Sequence, residues 1–166
     1  MTPSENTGES THESDESAAS DSSLLAKVLT VYDGVAEGVR EDRSGEALVA
    51  TLISHNYDVV EHSVVADGVE SVAERLSELT SGFSGLVVTT GGTGFTERDL
   101  TPEGTRRVIE REAPGIAEAM RLTNPLGRLS RGVAGIVGGS IVINTPGSTC
   151  LLYTSDAADD TPCVDL

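Results

Sequence analysis

A glycine-rich turn, Gly91-Gly92-Thr93-Gly94, is the first feature of this sequence that could do chemistry, and it directly follows the apolar run GLVVTT (85–90). Glycines let a backbone turn tightly and direct successive N–H groups at one point, which suits a phosphate oxygen. The turn matches neither the Walker A loop nor the dinucleotide-binding pattern. Spacing alone therefore leaves two interpretations open, a phosphate cradle and a plain turn at the end of a strand.

Two aspartates, Asp67 and Asp99, stand in loops that follow predicted strands. A Mg²⁺ ion that bridges the phosphates of a nucleotide needs one or two carboxylate oxygens from the protein, and these residues could supply them. The alternatives are structural, because Asp67 precedes a predicted helix that it could cap and Asp99 lies beside Arg98. Taken singly, each aspartate is explained better by the structural alternative.

Other reactive residues show no catalytic pattern. Asp42-Arg43-Ser44-Gly45 precedes the first predicted helix and is either a loop that closes over a ligand or a helix cap. Three histidines and two cysteines show neither metal-ligand spacing nor a paired disulfide framework (His12, His55, His62, Cys150 and Cys163). No Ser–His–Asp arrangement emerges, so the residues argue against metal-free hydrolysis by a triad.

The elements that must position these residues alternate between strand and helix from Leu24 onward. Apolar, β-branched runs predict strands over 24–33, 57–67, 85–90 and 140–145, the last in a hairpin around Gly138-Gly139. Helical spacing predicts helices over 46–56, over 68–81 with Gly82 as a stop signal, and over 115–122. Thr101 is predicted to cap a further helix whose first residue is Pro102.

Right-handed strand–helix–strand units imply an open, mostly parallel sheet with helices on both faces. Ligands bind such sheets beyond the carboxyl ends of the strands. Four predicted ends carry polar or glycine-rich residues, namely Asp33, Asp67, Gly91–Gly94 and Pro146–Ser148. The residues alone therefore predict a ligand site at this edge.

Composition limits the class of partner. The chain has 166 residues, one domain's length, with 27 acidic against 11 basic side chains and a formal charge of −16. Nucleic acids and anionic membrane surfaces would repel that charge. No long apolar run and no basic-then-apolar N-terminus is present, so we expect a cytoplasmic protein with no membrane span. Residues 1–23 hold six acidic and no basic side chains and are predicted to be a disordered arm.

The motifs together resemble the MogA/MoaB family of molybdenum cofactor biosynthesis proteins, which includes the G domains of gephyrin and plant Cnx1. The resemblance runs from about Lys27 to Ser148 and rests on VVTTGGTGFTERDLTPEGT, SRGVAGIVGGSIVINTPGS, VREDRSGEAL and the strand ending Val65-Ala66-Asp67. It implies a three-layer α/β/α domain over residues 24–148, typically a homotrimer.

The resemblance also implies a reaction. Active members transfer AMP from ATP to the terminal phosphate of molybdopterin, release pyrophosphate and need Mg²⁺. The family's two catalytic aspartates fall on Asp67 and Asp99, which would also hold the Mg²⁺. The same resemblance implies that the pocket is lined by Gly91, Gly92, Thr93, Gly94, Pro146, Gly147 and Ser148. Asp33, at a strand end, and Ser44, in the loop before the first helix, are further predicted substrate-binding residues. A molybdate-inserting protein is a possible further partner.

Two alternatives remain. Tyr32 stands where the family commonly has serine, which leaves room for a non-catalytic MoaB-like paralogue that only binds molybdopterin. The related CinA domain shares the fold, but its loop commonly reads Gly-Gly-Leu-Gly-Pro-Thr with Asp-Asp. The Gly-Gly-Thr-Gly turn and Arg98-Asp99 argue against it.

Residues 149–166 depart from the family, which continues into a long amphipathic helix after the Pro-Gly-Ser loop. The string CLLYTSDAAD is what a widely used transposon sequencing adapter would encode. We therefore predict that 149–166 are adapter read-through and not native sequence. The domain would then lack its closing helix, and an apolar sheet surface would be exposed, so we expect poor solubility.

Overall fold

The computed structural model describes residues 24–147. Six strands form one sheet in the order β2-β1-β3-β6-β5-β4. The strands are β1 Leu24–Val31, β2 Tyr57–Val65, β3 Leu86–Thr90, β4 Arg111–Glu112, β5 Ala134–Val137 and β6 Ser140–Thr145. The helices are α1 Asp33–Ala36, α2 Arg43–Ser54, α3 Val69–Thr80, α4 Thr101–Arg106 and α5 Pro114–Leu122, with a 3-10 helix at Pro125–Leu129.

The sheet is mixed, with a parallel core. β2, β1, β3 and β6 pair in parallel, whereas β5 pairs antiparallel with both β6 and β4. The antiparallel β5–β6 pair is the hairpin predicted around Gly138-Gly139. The predicted α/β class with a mostly parallel sheet is confirmed.

Two apolar clusters hold helices on opposite faces of the sheet. Leu29 and Val31 of β1 pack with Val72, Leu76 and Leu79 of α3. The alternate β1 residues, including Val28, pack with Leu48 and Leu52 of α2. Because successive side chains of a strand point to opposite faces, one strand serves both clusters and the domain has three layers.

Several boundaries differ from the sequence-based predictions for local reasons. The predicted first strand ends at Val31, because Asp33–Ala36 already forms a helical turn. Helix α2 begins at Arg43 because Asp42 caps it, and Asn56, with a φ of 63°, lies in the turn that follows. Strand β4 and the 3-10 helix were not predicted from the sequence.

The prediction for Thr101 is wrong. Leu100 occupies the cap position, Thr101 is the first helical residue and Pro102 follows it. The Thr101 N–H donates to the Gly92 carbonyl at 3.0 Å, which ties the start of α4 to the glycine turn.

None of the helices within residues 24–147 has the length and apolar character needed to cross a membrane. The predicted acidic arm, the predicted read-through segment and Ser148 lie outside the described residues.

Candidate functional site

Asp33 and Asp67 join the carboxyl ends of β1 and β2. The Asp67 N–H donates to Asp33 Oδ1 at 2.9 Å, and the Asp33 N–H donates to Asp67 Oδ2 at 3.2 Å. This reciprocal pair forms because parallel neighbouring strands end at the same edge of the sheet. It places two carboxylates side by side at the edge that the sequence predicted for a ligand.

The glycine turn follows the adjacent strand β3 and needs glycine for two reasons. Gly91 and Gly92 have φ values of 97° and 60°, a region that other residues rarely adopt. A Cβ on Gly91 would also overlap the Val31 carbonyl, and one on Gly92 would overlap Thr101 Oγ1. The turn therefore lies directly against the end of β1 and the start of α4.

Both predicted catalytic aspartates lie against this turn. Asp67 Oδ1 lies 3.0 Å from the point that a Cβ on Gly92 would occupy, and Asp99 Oδ2 lies 2.9 Å from the corresponding point at Gly94. Asp99 Oδ2 also accepts a hydrogen bond from the Thr96 N–H at 2.7 Å. Two carboxylates that are 32 residues apart in the sequence thus flank one glycine turn.

The electrostatics of the site favour a cation. Burial raises the pKa of the Asp67 carboxyl, and the charges of Asp33 and Asp99 raise it further, against the lowering effects of the Asp33 N–H and Arg98. Arg98 Nη1 lies 3.5 Å from Asp33 Oδ2 and is 80% exposed. A cation near Asp67 would relieve the repulsion among the three carboxylates.

The residues that the structure describes do not by themselves form a complete metal site. Within residues 24–147, no group of three or more His, Cys, Asp or Glu side chains is arranged to hold a metal ion. Mg²⁺ is usually held by one or two carboxylates together with substrate phosphates and waters. The oxygen donors of Asp67 and Asp99 fit that partial role.

Pro146 and Gly147 complete the edge. The Gly91 N–H donates to the Thr145 carbonyl at 3.2 Å, and Thr90 Oγ1 donates to the Pro146 carbonyl at 3.1 Å. A Cβ on Gly147 would lie 3.0 Å from the Gly91 Cα. A cavity of about 190 Å³ opens beside Pro146, and α5, the 3-10 helix and β6 line it, with Ala117, Met120, Asn124 and Asn144 among its residues.

Two predicted binding residues have other neighbours. Ser44 Oγ contacts Asp42 Oδ1 at 3.4 Å in the first turn of α2. Thr93 is only 4% exposed, and its hydroxyl accepts a hydrogen bond from Ser130 Oγ at 3.2 Å. The described contacts join neither hydroxyl to the carboxylates of Asp33, Asp67 or Asp99.

The capping and ion-pairing roles considered for Asp42, Asp67 and Asp99 are filled in one case only. Asp42 is a helix cap, since its Oδ1 accepts from the Gly45 N–H at 2.8 Å. Asp67 does not cap α3, because Gly68 takes the cap position of that helix without a side-chain hydrogen bond. Arg98 pairs with Asp33 and not with its neighbour Asp99.

The sequence analysis did not identify Arg131, which links the glycine turn, Asp99 and α4 by hydrogen bonds. Its Nε donates to the Gly94 carbonyl at 2.6 Å, its Nη1 donates to Glu103 Oε1 at 2.6 Å, and its Nη2 donates to the Asp99 carbonyl. The hydrogen bond from Arg131 holds the pKa of the Glu103 carboxyl below its usual range. The spacing of these partners, 28 to 37 residues, gave no signal in the sequence.

Gly92→Ala is expected to destabilise the fold more than Gly138→Ala. Both glycines have positive φ values, but a Cβ on Gly138 meets nothing within 4 Å. The backbone cost, about 1 kcal/mol, is shared, and overlap with Thr101 adds about 1 kcal/mol at Gly92. Urea unfolding of the two variants measures the difference, and equal losses would show that the turn does not need its close approach.

The sequence of this chain is similar to those of known proteins. The family model described as "Probable molybdopterin binding domain" matches residues 27–155. The molybdopterin adenylyltransferase of Helicobacter pylori (strain J99) is 39% identical over 127 residues, 72% of each chain. The molybdenum cofactor biosynthesis protein B of Bacillus cereus is 31% identical over 133 residues, 76% of this chain and 78% of that protein.

Solved structures agree with these sequence matches. A molybdopterin biosynthesis protein from Mycobacterium abscessus superposes with a TM-score of 0.74 at 35% identity, covering 79% of this chain and 85% of that one. The family match spans more than half of the chain and includes every described residue of the site. The chain therefore belongs to the MogA/MoaB family of molybdenum cofactor biosynthesis proteins, whose shared module is this molybdopterin-binding domain.

Proposed function

We propose that this protein is a molybdopterin adenylyltransferase. A terminal phosphate oxygen of molybdopterin attacks the α-phosphorus of ATP, a new P–O bond forms, the bond to the β-phosphate bridge breaks, and pyrophosphate leaves. The observation that carries the proposal is the convergence of Asp67 and Asp99 on the Gly91–Gly94 turn. The relative from Helicobacter pylori with the name of this activity supports it.

The chemistry requires positioning and charge neutralisation, because two phosphate groups that repel each other must meet. The Gly91 N–H already donates to the Thr145 carbonyl, and the other backbone N–H groups of the glycine turn suit phosphate oxygens. Arg98, exposed and 3.5 Å from Asp33, is within reach of a phosphate that enters this edge. No covalent nucleophile is needed for such a transfer.

Asp67 and Asp99 would hold Mg²⁺, and Asp33 would orient Asp67 through the reciprocal hydrogen bonds. When bound, Mg²⁺ neutralises charge on the phosphates and holds them in line. The two carboxylates beside Asp67, those of Asp33 and Asp99, support this assignment.

The direct test supplies purified protein with ATP, Mg²⁺ and molybdopterin. We expect adenylylated molybdopterin and pyrophosphate in equal amounts, and no pyrophosphate when molybdopterin is omitted. Binding of molybdopterin without AMP transfer would contradict the proposal and support a MoaB-like binding paralogue. The observation that favours this second candidate is Tyr32, whose hydroxyl accepts a hydrogen bond from Arg40 at 3.0 Å beside Asp33.

We further propose that the protein assembles into homotrimers and acts in the cytoplasm. A homotrimer in the cytoplasm, with a molybdate-inserting protein as a possible partner, is consistent with membership of the family. Sedimentation of the purified protein tests the trimer. The strong negative charge supports the absence of nucleic-acid and membrane partners.

We also propose that the domain occupies residues 24–148 and that residues 1–23 form an acidic arm outside it. Residues 149–166 would then be foreign to the domain. The exposure of Ile141 in β6 supports this view. Ile141 pairs with Leu86 of β3, on the face of the sheet that carries α2, and its side chain is 42% exposed. An apolar residue of this face is therefore left uncovered, as expected if a closing helix is missing. Sequencing the source locus across the codons from Pro146 to Leu166 tests it, and finding the same codons there would contradict it.

A further inference from the structure

Thr101 carries a polar atom that the fold leaves without a partner. The residue is 0% exposed. Among the buried side-chain oxygen and nitrogen atoms of residues 24–147, its Oγ1 is the one that makes no hydrogen bond. A buried hydroxyl without a partner is costly, and native proteins rarely keep one without a reason. A valine would fill the same volume at no such cost.

The neighbouring threonine on the same helix shows what a purely structural hydroxyl does. Thr105 is equally buried, and its Oγ1 donates to the Thr101 carbonyl at 2.8 Å and accepts from Asn144 Nδ2 at 2.9 Å. Thr80 likewise donates to the Leu76 carbonyl, four residues earlier. Thr101 has no such carbonyl available, because it is the first residue of α4.

The orphan hydroxyl points beneath the glycine turn towards Asp67. The position of a Cβ on Gly92 would overlap Thr101 Oγ1 and would lie 3.0 Å from Asp67 Oδ1, so the two oxygens flank one small space. Asp67 already uses its other oxygen to accept from the Asp33 N–H. A hydroxyl donor and a carboxylate oxygen therefore face the same point.

We propose that the Thr101 hydroxyl is a positioning group, which donates to Asp67 Oδ1 when nucleotide binds and holds the carboxylate in one orientation. The inference rests on the role of Asp67 in the proposed function. It explains why a polar group is retained at a position where an apolar residue would pack equally well. Thr101 acts through Asp67 and does not itself touch the substrate.

The test compares Thr101→Val with Thr101→Ser by calorimetric binding of ATP, once with Mg²⁺ and once with a chelator. We expect Thr101→Val to weaken binding about tenfold with Mg²⁺, the value of about one hydrogen bond, and to leave binding in chelator unchanged. Thr101→Ser keeps the hydroxyl and is expected to bind within about threefold of the wild type.

Thermal unfolding distinguishes positioning from packing. Thr101→Val should melt at or above the wild-type temperature, because it breaks no hydrogen bond of the fold. Thr105→Val is the matched control, since it loses two hydrogen bonds and should melt lower while binding ATP normally. A Thr101→Val variant that binds like the wild type, or that melts as low as Thr105→Val, would overturn the proposal.

The Thr101 binding experiment and the AMP-transfer assay can fail independently. A wild-type protein that binds ATP with Mg²⁺ but transfers no AMP contradicts the adenylyltransferase and leaves the Thr101 comparison readable. Wild-type binding that does not depend on Mg²⁺ contradicts the positioning role itself.

Discussion

Asp67→Asn is expected to lower the rate of AMP transfer at least about 100-fold while the protein stays folded. The carboxylate would hold the cation whose charge stabilisation is worth several kcal/mol in such transfers. Asparagine keeps an oxygen that can accept from the Asp33 N–H, so the join between β1 and β2 survives. Steady-state measurement of pyrophosphate release, with thermal unfolding in parallel, tests both parts.

The pKa of Asp67 also predicts how Asp67→Asn changes the stability of the fold. Because burial raises the pKa of Asp67, the favourable state is the protonated one, and its contribution is lost as the pH rises through that raised pKa. At neutral pH the ionised carboxylate therefore costs folding free energy, and asparagine removes the cost. We expect an equal or higher melting temperature.

Asp58→Asn is the matched control, because Asp58 is exposed near the opposite end of the same strand β2. It should leave both rate and melting temperature unchanged. Asp99→Asn should lose activity as Asp67→Asn does, because it too removes a carboxylate that would hold the cation. It should stay folded, since the asparagine oxygen can still accept from the Thr96 N–H. Full activity in Asp67→Asn would remove Asp67 from the proposed site.

Arg131→Ala is expected to reduce the free energy of unfolding by about 3 kcal/mol. The Arg131 side chain is about two-thirds buried, and its loss leaves the Gly94 and Asp99 carbonyls and the Glu103 carboxylate without their donor. Because these partners carry the glycine turn and Asp99, AMP transfer should fall as well. Urea unfolding at neutral pH gives the stability.

Arg107→Ala is the comparison for Arg131→Ala, since Arg107 pairs with Glu70 at 2.6 Å where both side chains are more than half exposed. Exposed pairs contribute about 1 kcal/mol or less. The Arg131 penalty should shrink in acid, because the pKa of Glu103 is lowered in the fold and the pair's stabilisation is lost as the pH falls through that value. A penalty equal to that of Arg107→Ala would show that Arg131 is an ordinary surface residue.

Local features of the site could be predicted because their causes lie within a few residues. The glycine turn stands immediately after an apolar strand, and Asp42 caps a helix that begins at the next residue. The alternation of strands and helices and the edge at which Asp33 and Asp67 meet also follow from short-range patterns and the handedness of parallel units.

The ends of strands and helices were less predictable where the conformation of one residue departs from what the apolar spacing indicates. The apolar spacing alone does not show that Asp33 begins a helical turn or that Leu100 and not Thr101 occupies the cap position of α4. The second case depends on the hydrogen bond between the Thr101 N–H and the Gly92 carbonyl, which lie nine residues apart. Such a contact exists only after the loop has closed.

The sequence by itself determined the fold class, the family and the sheet edge of the candidate site, because periodicity, turns and motifs are encoded between near neighbours. Only the tertiary structure decided which distant groups meet there: Asp33 with Asp67 across 34 residues, Arg131 with Gly94 across 37, and the unpartnered Thr101 hydroxyl beneath Gly92. These contacts depend on how the layers pack and on the register of strands, which bring together side chains that no local pattern relates.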